Sequence, residues 1–330
     1  MPLAAIDAFI DLLACPRCGG ELTGSPAKLV CSERSCGHRY EAVGDRPKPV
    51  LVDSDASIMD VAAILASGGS SPVERSYGGW LLTFLTHRFA EPPNTTAERY
   101  ARRLAADLVA ETEGRPRLLV IGGGAIGGGV RSLYEDPRLD VLAFDLYASD
   151  SVQFLADGHQ IPLKDGSVDG VLIQAVLEHV LDPQKVVAEI HRVLRLGGLV
   201  YANTPFMQHV HEGPYDFTRF TESGHRYLFR HFTVRNSGAA AGLGTQLLWS
   251  IVYFARGIHF RAGQVARVMF YWLPKLDRRL NGPATVDGAS GVFFYGHSSK
   301  DVVTPAEIVA YYSGAQRLRS RTRGPSDASA

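Results

Sequence analysis

After Cys36 the sequence has no further cysteine. All four cysteines lie between positions 15 and 36 of a 330-residue chain. A disulfide framework would distribute its bridges, and a reducing cytosol would not keep them, so clustered thiols point to a metal. Charge imbalance is also missing. Thirty-four Lys and Arg balance 34 Asp and Glu, so no global charge argument favours a nucleic-acid partner. No run approaches the roughly 18 apolar residues that a membrane-spanning helix needs. The opening "MPLAAIDAFIDLLACPRC" lacks a basic n-region and is interrupted by Asp7 and Asp11, which argues against a signal peptide. The expectation is a cytoplasmic protein.

The cysteines are spaced Cys15-x2-Cys18 and Cys31-x4-Cys36. Two close thiolate pairs on facing turns supply a closed tetrahedral shell for structural Zn2+ and leave no open position for catalysis. The bland alternative is a metal-free mini-sheet with reduced thiols. Around the ligands, "DLLACPRCGGEL", Tyr40 and the closing "PVLVD" resemble the Trm-type zinc ribbons, a family of small methyltransferase-activator subunits. The departure is "DRPKPV", where the family has a shorter link.

The stretch "LLVIGGGAIGGGV", Leu118 to Val130, places six glycines behind an apolar strand. Gly122, Gly124 and Gly127 let the backbone approach a ligand and free amide donors at a helix start. Asp145, at the end of the next strand in "RLDVLAFDLY", can accept from vicinal ribose hydroxyls. Those features fit NAD, FAD and S-adenosylmethionine alike. Strands alternating with helices through "GLVYANTPF" predict an α/β fold, a doubly wound, mostly parallel sheet.

The discriminating stretch is "ADGHQIPLKDGSVDGVLIQAVLEHV". With the Gly-rich loop, Asp145 and "VLRLGGLVYANTP", it makes residues 117–236 resemble a class I S-adenosylmethionine-dependent methyltransferase of the methyltransferase-11 type. That resemblance implies a seven-stranded Rossmann-like sheet and cofactor contacts from Gly122, Gly124, Gly127, Asp145, Leu146, Asp157, Gly158, Gln174 and Val176. Core packing is the competing role for Leu146 and Val176. Val120 stands where many relatives carry an acid.

Residues 204–229, "TPFMQHVHEGPYDFTRFTESGHRYLF", follow a strand end and hold His209, His211, Glu212, Asp216 and Arg219. His211 is the candidate base for a hydroxyl acceptor, with Asp216 orienting it and Arg219 fixing the loop. His179 in "LEHV" is the second candidate. The alternative is a packed turn with Asp216 and Arg219 paired to each other. H-x-x-P-x-D-F-x-R-F-T resembles a methyltransferase subgroup associated with glycan pathways, which implies a sugar, glycan or other secondary-metabolite hydroxyl, free or lipid-linked, as acceptor.

The expected organisation is a ribbon over 1–55, a linker and helical cap over 56–96, and a methyltransferase domain over 97–300. That domain carries a basic amphipathic helical insertion at 239–286, and a tail follows over 301–330. The insertion holds Arg256, Arg261, Arg267, Lys275, Arg278 and Arg279 against Asp277. Such a stretch reads as peripheral contact with a membrane surface through 250–280, as an acceptor wall, or as a homodimer interface. Two other functions compete with methyl transfer: a non-catalytic S-adenosylmethionine-binding or partner-docking protein, and an NAD-dependent oxidoreductase.

Overall fold

Leu119 and Ile121 face one hydrophobic cluster, while Leu118 and Val120 face another. This is the two-residue period of a strand buried on both sides. The computed structural model describes residues 3–71 and 94–316, and it gathers the strands into one sheet of eleven. The chain supplies β1 (Leu22–Ser25), β2 (Lys28–Cys31), β3 (Arg39–Val43), β4 (Lys48–Leu51), β5 (Arg117–Ile121) and β6 (Asp140–Asp145). It continues through β7 (Phe154–Ala156), β8 (Val168–Gln174), β9 (Leu194–Pro205), β10 (Phe232–Ala241) and β11 (Gly291–Ser298).

The strand order is β1-β2-β3-β4-β7-β6-β5-β8-β9-β11-β10. From β4 to β9 the neighbours are parallel, apart from the ribbon's own hairpins, and β11 runs antiparallel to both β9 and β10. Strands β5 to β11 number seven, but the sheet does not stop there. Val50 and Leu51 of β4 pair with Leu155 and Ala156 of β7, so the expected seven-stranded sheet extends to eleven. An edge strand leaves unpaired N–H and C=O groups, and the ribbon covers that edge.

The ribbon is therefore not a freestanding unit over residues 1–55. Ile6, Phe9, Leu13, Leu29, Tyr40 and Leu51 share one core with Phe144, Phe154 and Leu163 of the larger domain. Ala14 N–H also donates to the Pro162 carbonyl at 3.0 Å, and Lys164 N–H to that of Leu12 at 2.9 Å.

Among the described residues the helices are α1 (Val61–Ala66), α2 (Thr95–Glu111), α3 (Arg131–Glu135), α4 (Pro183–Val193), α5 (Glu222–Leu228), α6 (Leu243–Ile258), α7 (Phe260–Met269), α8 (Pro283–Asp287) and α9 (Pro305–Tyr311). Helix α2 buries Tyr100, Ala101, Leu104 and Leu108 on one face of the sheet, and α4 buries Val186, Ile190 and Val193 on the other. Asn94 caps α2, because its side chain accepts from Ala97 N–H. The aromatic segment "YGGWLLTFLTHRFA" lies outside the described residues.

Residues Pro305–Tyr311 form α9. Thr304 and Glu307 close a capping box on α9, and Arg226 of α5 stacks over Tyr311, 3.0 Å from the ring centroid. Between residues 239 and 286 lie α6 and α7. The one acid of that stretch, Asp277, folds back to cap α6, accepting from Gly242, Gly244 and Thr245 N–H at 3.0, 2.6 and 3.2 Å.

Candidate functional site

The Gly-rich loop leaves the carboxyl end of β5 through Gly122, at φ +77°. A Cβ there would overlap Val176, and one at Gly124 would overlap the Tyr147 ring and Asp145. Gly122 and Gly123 N–H both reach the Phe144 carbonyl, at 3.0 and 2.9 Å. Asp145 Oδ2 accepts from Gly124 N–H at 2.7 Å, and Oδ1 from Leu146 N–H at 2.6 Å. Gln174 lies beside Gly127 and donates to the Gly128 carbonyl at 3.2 Å. Its buried Oε1 has no hydrogen-bond partner among the described residues. The structure thus brings Gly122, Gly124, Gly127, Asp145, Leu146, Gln174 and Val176 together at the ends of β5, β6 and β8.

Asp157 and Gly158 follow the adjacent β7, and the Asp157 carboxylate is engaged with its own chain. Ser57 Oγ donates to it at 2.5 Å, and His159 donates from N–H and Nδ1 at 2.9 and 2.6 Å. Burial opposes the charge on Asp157, yet the hydrogen bonds from His159 and Ser57 outweigh it and hold the carboxyl below its usual range. His159 Nε2 in turn accepts from Asp182 N–H, the residue that caps α4. A short acceptor at this strand end therefore ties β7 to α4 and to the segment after the ribbon.

Ala175, after β8, has φ +53°, which turns the chain so that Val176 covers Gly122 and the next residues enter the cleft. Glu178 is fully buried there, and neither of its carboxylate oxygens has a hydrogen-bond partner among the described residues. His179 Nε2 stands 3.5 Å and His211 Nε2 3.8 Å from Glu178 Oε1. Burial pushes the Glu178 carboxyl up to about 8, against the opposing pull of backbone hydrogen bonding and Arg219. Burial likewise lowers His179, only partly offset by its Nδ1 bond to the Tyr215 carbonyl at 2.7 Å.

The loop after β9 completes the site. Asp216 Oδ2 accepts from His211 N–H at 3.0 Å and lies 3.3 Å from His211 Nδ1. Arg219 grips both oxygens of Asp216 and donates to the Gln208, His209 and Thr218 carbonyls. Burial opposes the Asp216 charge, but Arg219 outweighs it and holds the carboxyl low. His211, His179 and Asp216 thus meet, and Asp216 contacts both Arg219 and His211. His209 turns elsewhere and stacks on Tyr253 of α6, with centroids 4.0 Å apart. Sequence reasoning missed Glu178. Its signal was an acid beside a histidine in "LEHV", at a strand end that faces the cleft.

In the ribbon, Cys15 and Cys36 Sγ are 3.9 Å apart, Cys18 and Cys31 Sγ 3.4 Å, and all four lie within 4.8 Å of one another. Tetrahedral thiolates about 2.3 Å from Zn2+ stand roughly 3.8 Å apart, so the four fit a single ion. Tyr40 Oη lies 3.0 Å from Cys15 Sγ as an outer partner.

Residues 130–202 match the methyltransferase domain family. An uncharacterized protein of transposon TN4556 from Streptomyces fradiae is 47% identical over 51 residues, 16% of this chain and 15% of that protein. A demethylmenaquinone methyltransferase from Renibacterium salmoninarum is 30% identical over 168 residues, 48% of this chain and 64% of that protein. The chain thus spans less than two thirds of either relative. Haemonchus contortus phosphoethanolamine N-methyltransferase 2, solved with S-adenosyl-L-methionine, is 16% identical over 68% of this chain and 61% of its own, with a TM-score of 0.38. The matched segment runs from the residue before α3 to the middle of β9, and it carries Asp145, Asp157, Gln174, Glu178 and His179. Over residues 130–202, this chain is similar to the methyltransferase domain family.

Proposed function

We propose that the protein is an S-adenosylmethionine-dependent methyltransferase acting on a hydroxyl of a sugar, glycan or other secondary metabolite. The domain match over 130–202 carries this reading, and the glycine cradle held by Asp145 supports it. Gly122, Gly124 and Gly127 with Gln174 and Val176 would seat the amino-acid end, Asp145 and Leu146 the ribose, and Asp157 and Gly158 the adenine side. Bound there, S-adenosylmethionine supplies an electrophilic methyl group to the acceptor oxygen and leaves as S-adenosylhomocysteine. His211, held at Nδ1 by Asp216, takes the hydroxyl proton on Nε2, and His179 stands beside it. Cys15, Cys18, Cys31 and Cys36 would hold Zn2+ and brace the sheet edge on which the cleft is built.

Calorimetry tests the reading. S-adenosylhomocysteine should bind, and NAD should not. Tight NAD binding without S-adenosylhomocysteine binding would assign the glycine turn to an oxidoreductase. Methylation that survives unchanged in both Asp145→Ala and His211→Ala would make the chain a non-catalytic partner.

We further propose that α6 and α7 seat the protein on an anionic lipid surface. Phe254 is 77% and Ile258 74% exposed on α6, and Val265 and Met269 are exposed on α7. The sequence has no Asp or Glu between Glu222 and Asp277, while Arg256, Arg261 and Arg267 interleave with the apolar positions. Apolar surface mixed with cations suits the headgroup region of an anionic bilayer. No described helix is long and apolar enough to cross one. Tyr253 connects this face to the cleft, donating to the Val210 carbonyl at 2.8 Å. Vesicles with phosphatidylglycerol should sediment the protein, phosphatidylcholine vesicles should not, and Phe254→Asp with Ile258→Asp should abolish the effect. Equal sedimentation with both vesicles, or with neither, overturns it. A concentration-dependent dimer lost in the same variant would give the face to a second copy.

A further inference from the structure

Three groups able to ligate a metal converge beside the loop after β9. Among the described residues, Glu178, His179 and His211 each offer one ligand atom within 4.8 Å of the others, and Glu178 Oε1 stands 3.5 Å from His179 Nε2 and 3.8 Å from His211 Nε2. The tautomers follow from the outer partners. His179 Nδ1 faces the Tyr215 carbonyl at 2.7 Å, an acceptor, so this nitrogen carries the proton of the neutral ring. His211 Nδ1 faces the Asp216 carboxylate at 3.3 Å and the His209 carbonyl at 3.4 Å, both acceptors, so the same assignment holds. Each ring then turns its Nε2 toward the Glu178 carboxyl, whose two oxygens are buried without a hydrogen-bond partner. A buried carboxyl without a hydrogen-bond partner is costly unless a proton or a cation joins it.

We propose that Glu178, His179 and His211 bind a divalent transition-metal ion of the Zn2+, Co2+ and Fe2+ class. Imidazole and carboxylate ligands suit these ions, and tetrahedral N and O ligands about 2.0–2.2 Å from a metal stand roughly 3.4 Å apart. The observed 3.5 and 3.8 Å need only a few tenths of an ångström of contraction. The outer shell has the arrangement metal-bound histidines use, with the second ring nitrogen tied to a carbonyl in one case and a carboxylate in the other. Asp216 is itself fixed by Arg219, so the shell is rigid before any ion arrives. Three protein ligands, unlike the four thiolates of the ribbon, leave a position for an acceptor oxygen.

The inference rests on the reading of this cluster as the acceptor end, and it changes one role there. With the ion bound, the His211 Nε2 lone pair is a ligand and no longer a free base. A hydroxyl coordinated to the ion has its pKa lowered and releases its proton to water. The oxygen pair then forms the new O–CH3 bond as the C–S bond breaks, and sulfur keeps that bonding pair.

The test is titration of the 330-residue chain, with any metal held by the four cysteines left in place, using Co2+ followed by visible absorption. Wild type should take up one saturable equivalent whose bands lack thiolate-to-metal charge transfer, which distinguishes it from exchange into the four-cysteine site. Glu178→Gln and His211→Ala should lose that equivalent. Asp216→Asn keeps all three ligands and should bind about 10- to 100-fold more weakly. His211 lies at the partly exposed loop, so its variant serves if Glu178→Gln does not fold. No charge-transfer-free uptake by wild type, or undiminished uptake by His211→Ala, overturns the ion site. S-adenosylhomocysteine binding without Co2+ uptake would leave His211 as a free base. Co2+ uptake without S-adenosylhomocysteine binding would sink the methyl-transfer reading alone.

Discussion

Asp145 Oδ2 accepts the Gly124 N–H at 2.7 Å, so the acid that ends β6 also clamps the turn that follows β5. One carboxylate thereby sets both the shape of the cradle and the position proposed for the ribose. Asp145→Ala removes a charge-assisted bond worth about 1.5–3 kcal/mol and frees the loop. S-adenosylhomocysteine affinity should fall at least about tenfold. Calorimetry checks this, and unchanged affinity would place the nucleoside elsewhere.

Asp277 caps α6 across more than thirty residues by accepting three backbone N–H groups and Thr245 Oγ1. Asp277→Ala strands those donors at a part-buried helix start. The expected loss is about 1–3 kcal/mol of stability, read by chemical denaturation, with the insertion loosening first in hydrogen exchange. A change within a few tenths of a kcal/mol would show that the cap carries little.

His225 is fully buried on α5 between Phe220 and Phe229, and burial drives its pKa down to about 3. In the unfolded chain it titrates near 6.5. Above pH 6.5 both states leave it neutral and stability does not depend on it. As pH falls from about 6.5 toward 3 the unfolded state binds the extra proton, and stability drops by up to about 1.4 kcal/mol per pH unit. His225→Phe should flatten that slope relative to wild type in acid denaturation curves. Parallel curves would refute the assignment.

Cys18 is the exposed member of the four cysteines. Cys18→Ser therefore removes a metal ligand without cutting the core that Cys15 and Cys31 join. If Zn2+ is held as proposed, the variant should lose the metal by elemental analysis and melt roughly 5 °C or more lower. Because β4 continues the sheet beside β7, protection should also fall at Leu155 and Ala156. A zinc-free wild type with an identical melting temperature would dismiss the ion.

The glycine turn, Asp145 and the four cysteines were legible because their chemistry depends on local spacing. A turn, a strand end and a Cys-x2-Cys pair are each written within a few residues. The continuous apolar run from Leu118 to Ile121 declared a buried strand for the same reason. Local pattern also limited what could be read. Asn94 caps α2 through Ala97 N–H, a contact that exists only once the helix is built.

Relationships between distant segments were decided by tertiary structure. No sequence period announces that β4 pairs with β7, since the pairing depends on an open parallel edge and a shared core. Asp277 looked like a lone acid among cations, and only the fold carries it to the start of α6. Glu178 read as part of a helix-entry motif until burial and two histidine rings, one of them thirty-three positions away, gave it a charge to balance. The sequence by itself determined which groups the chain owns and the strands they end. The tertiary structure decided which groups face each other, because burial and orientation arise only when separate segments close around one cleft.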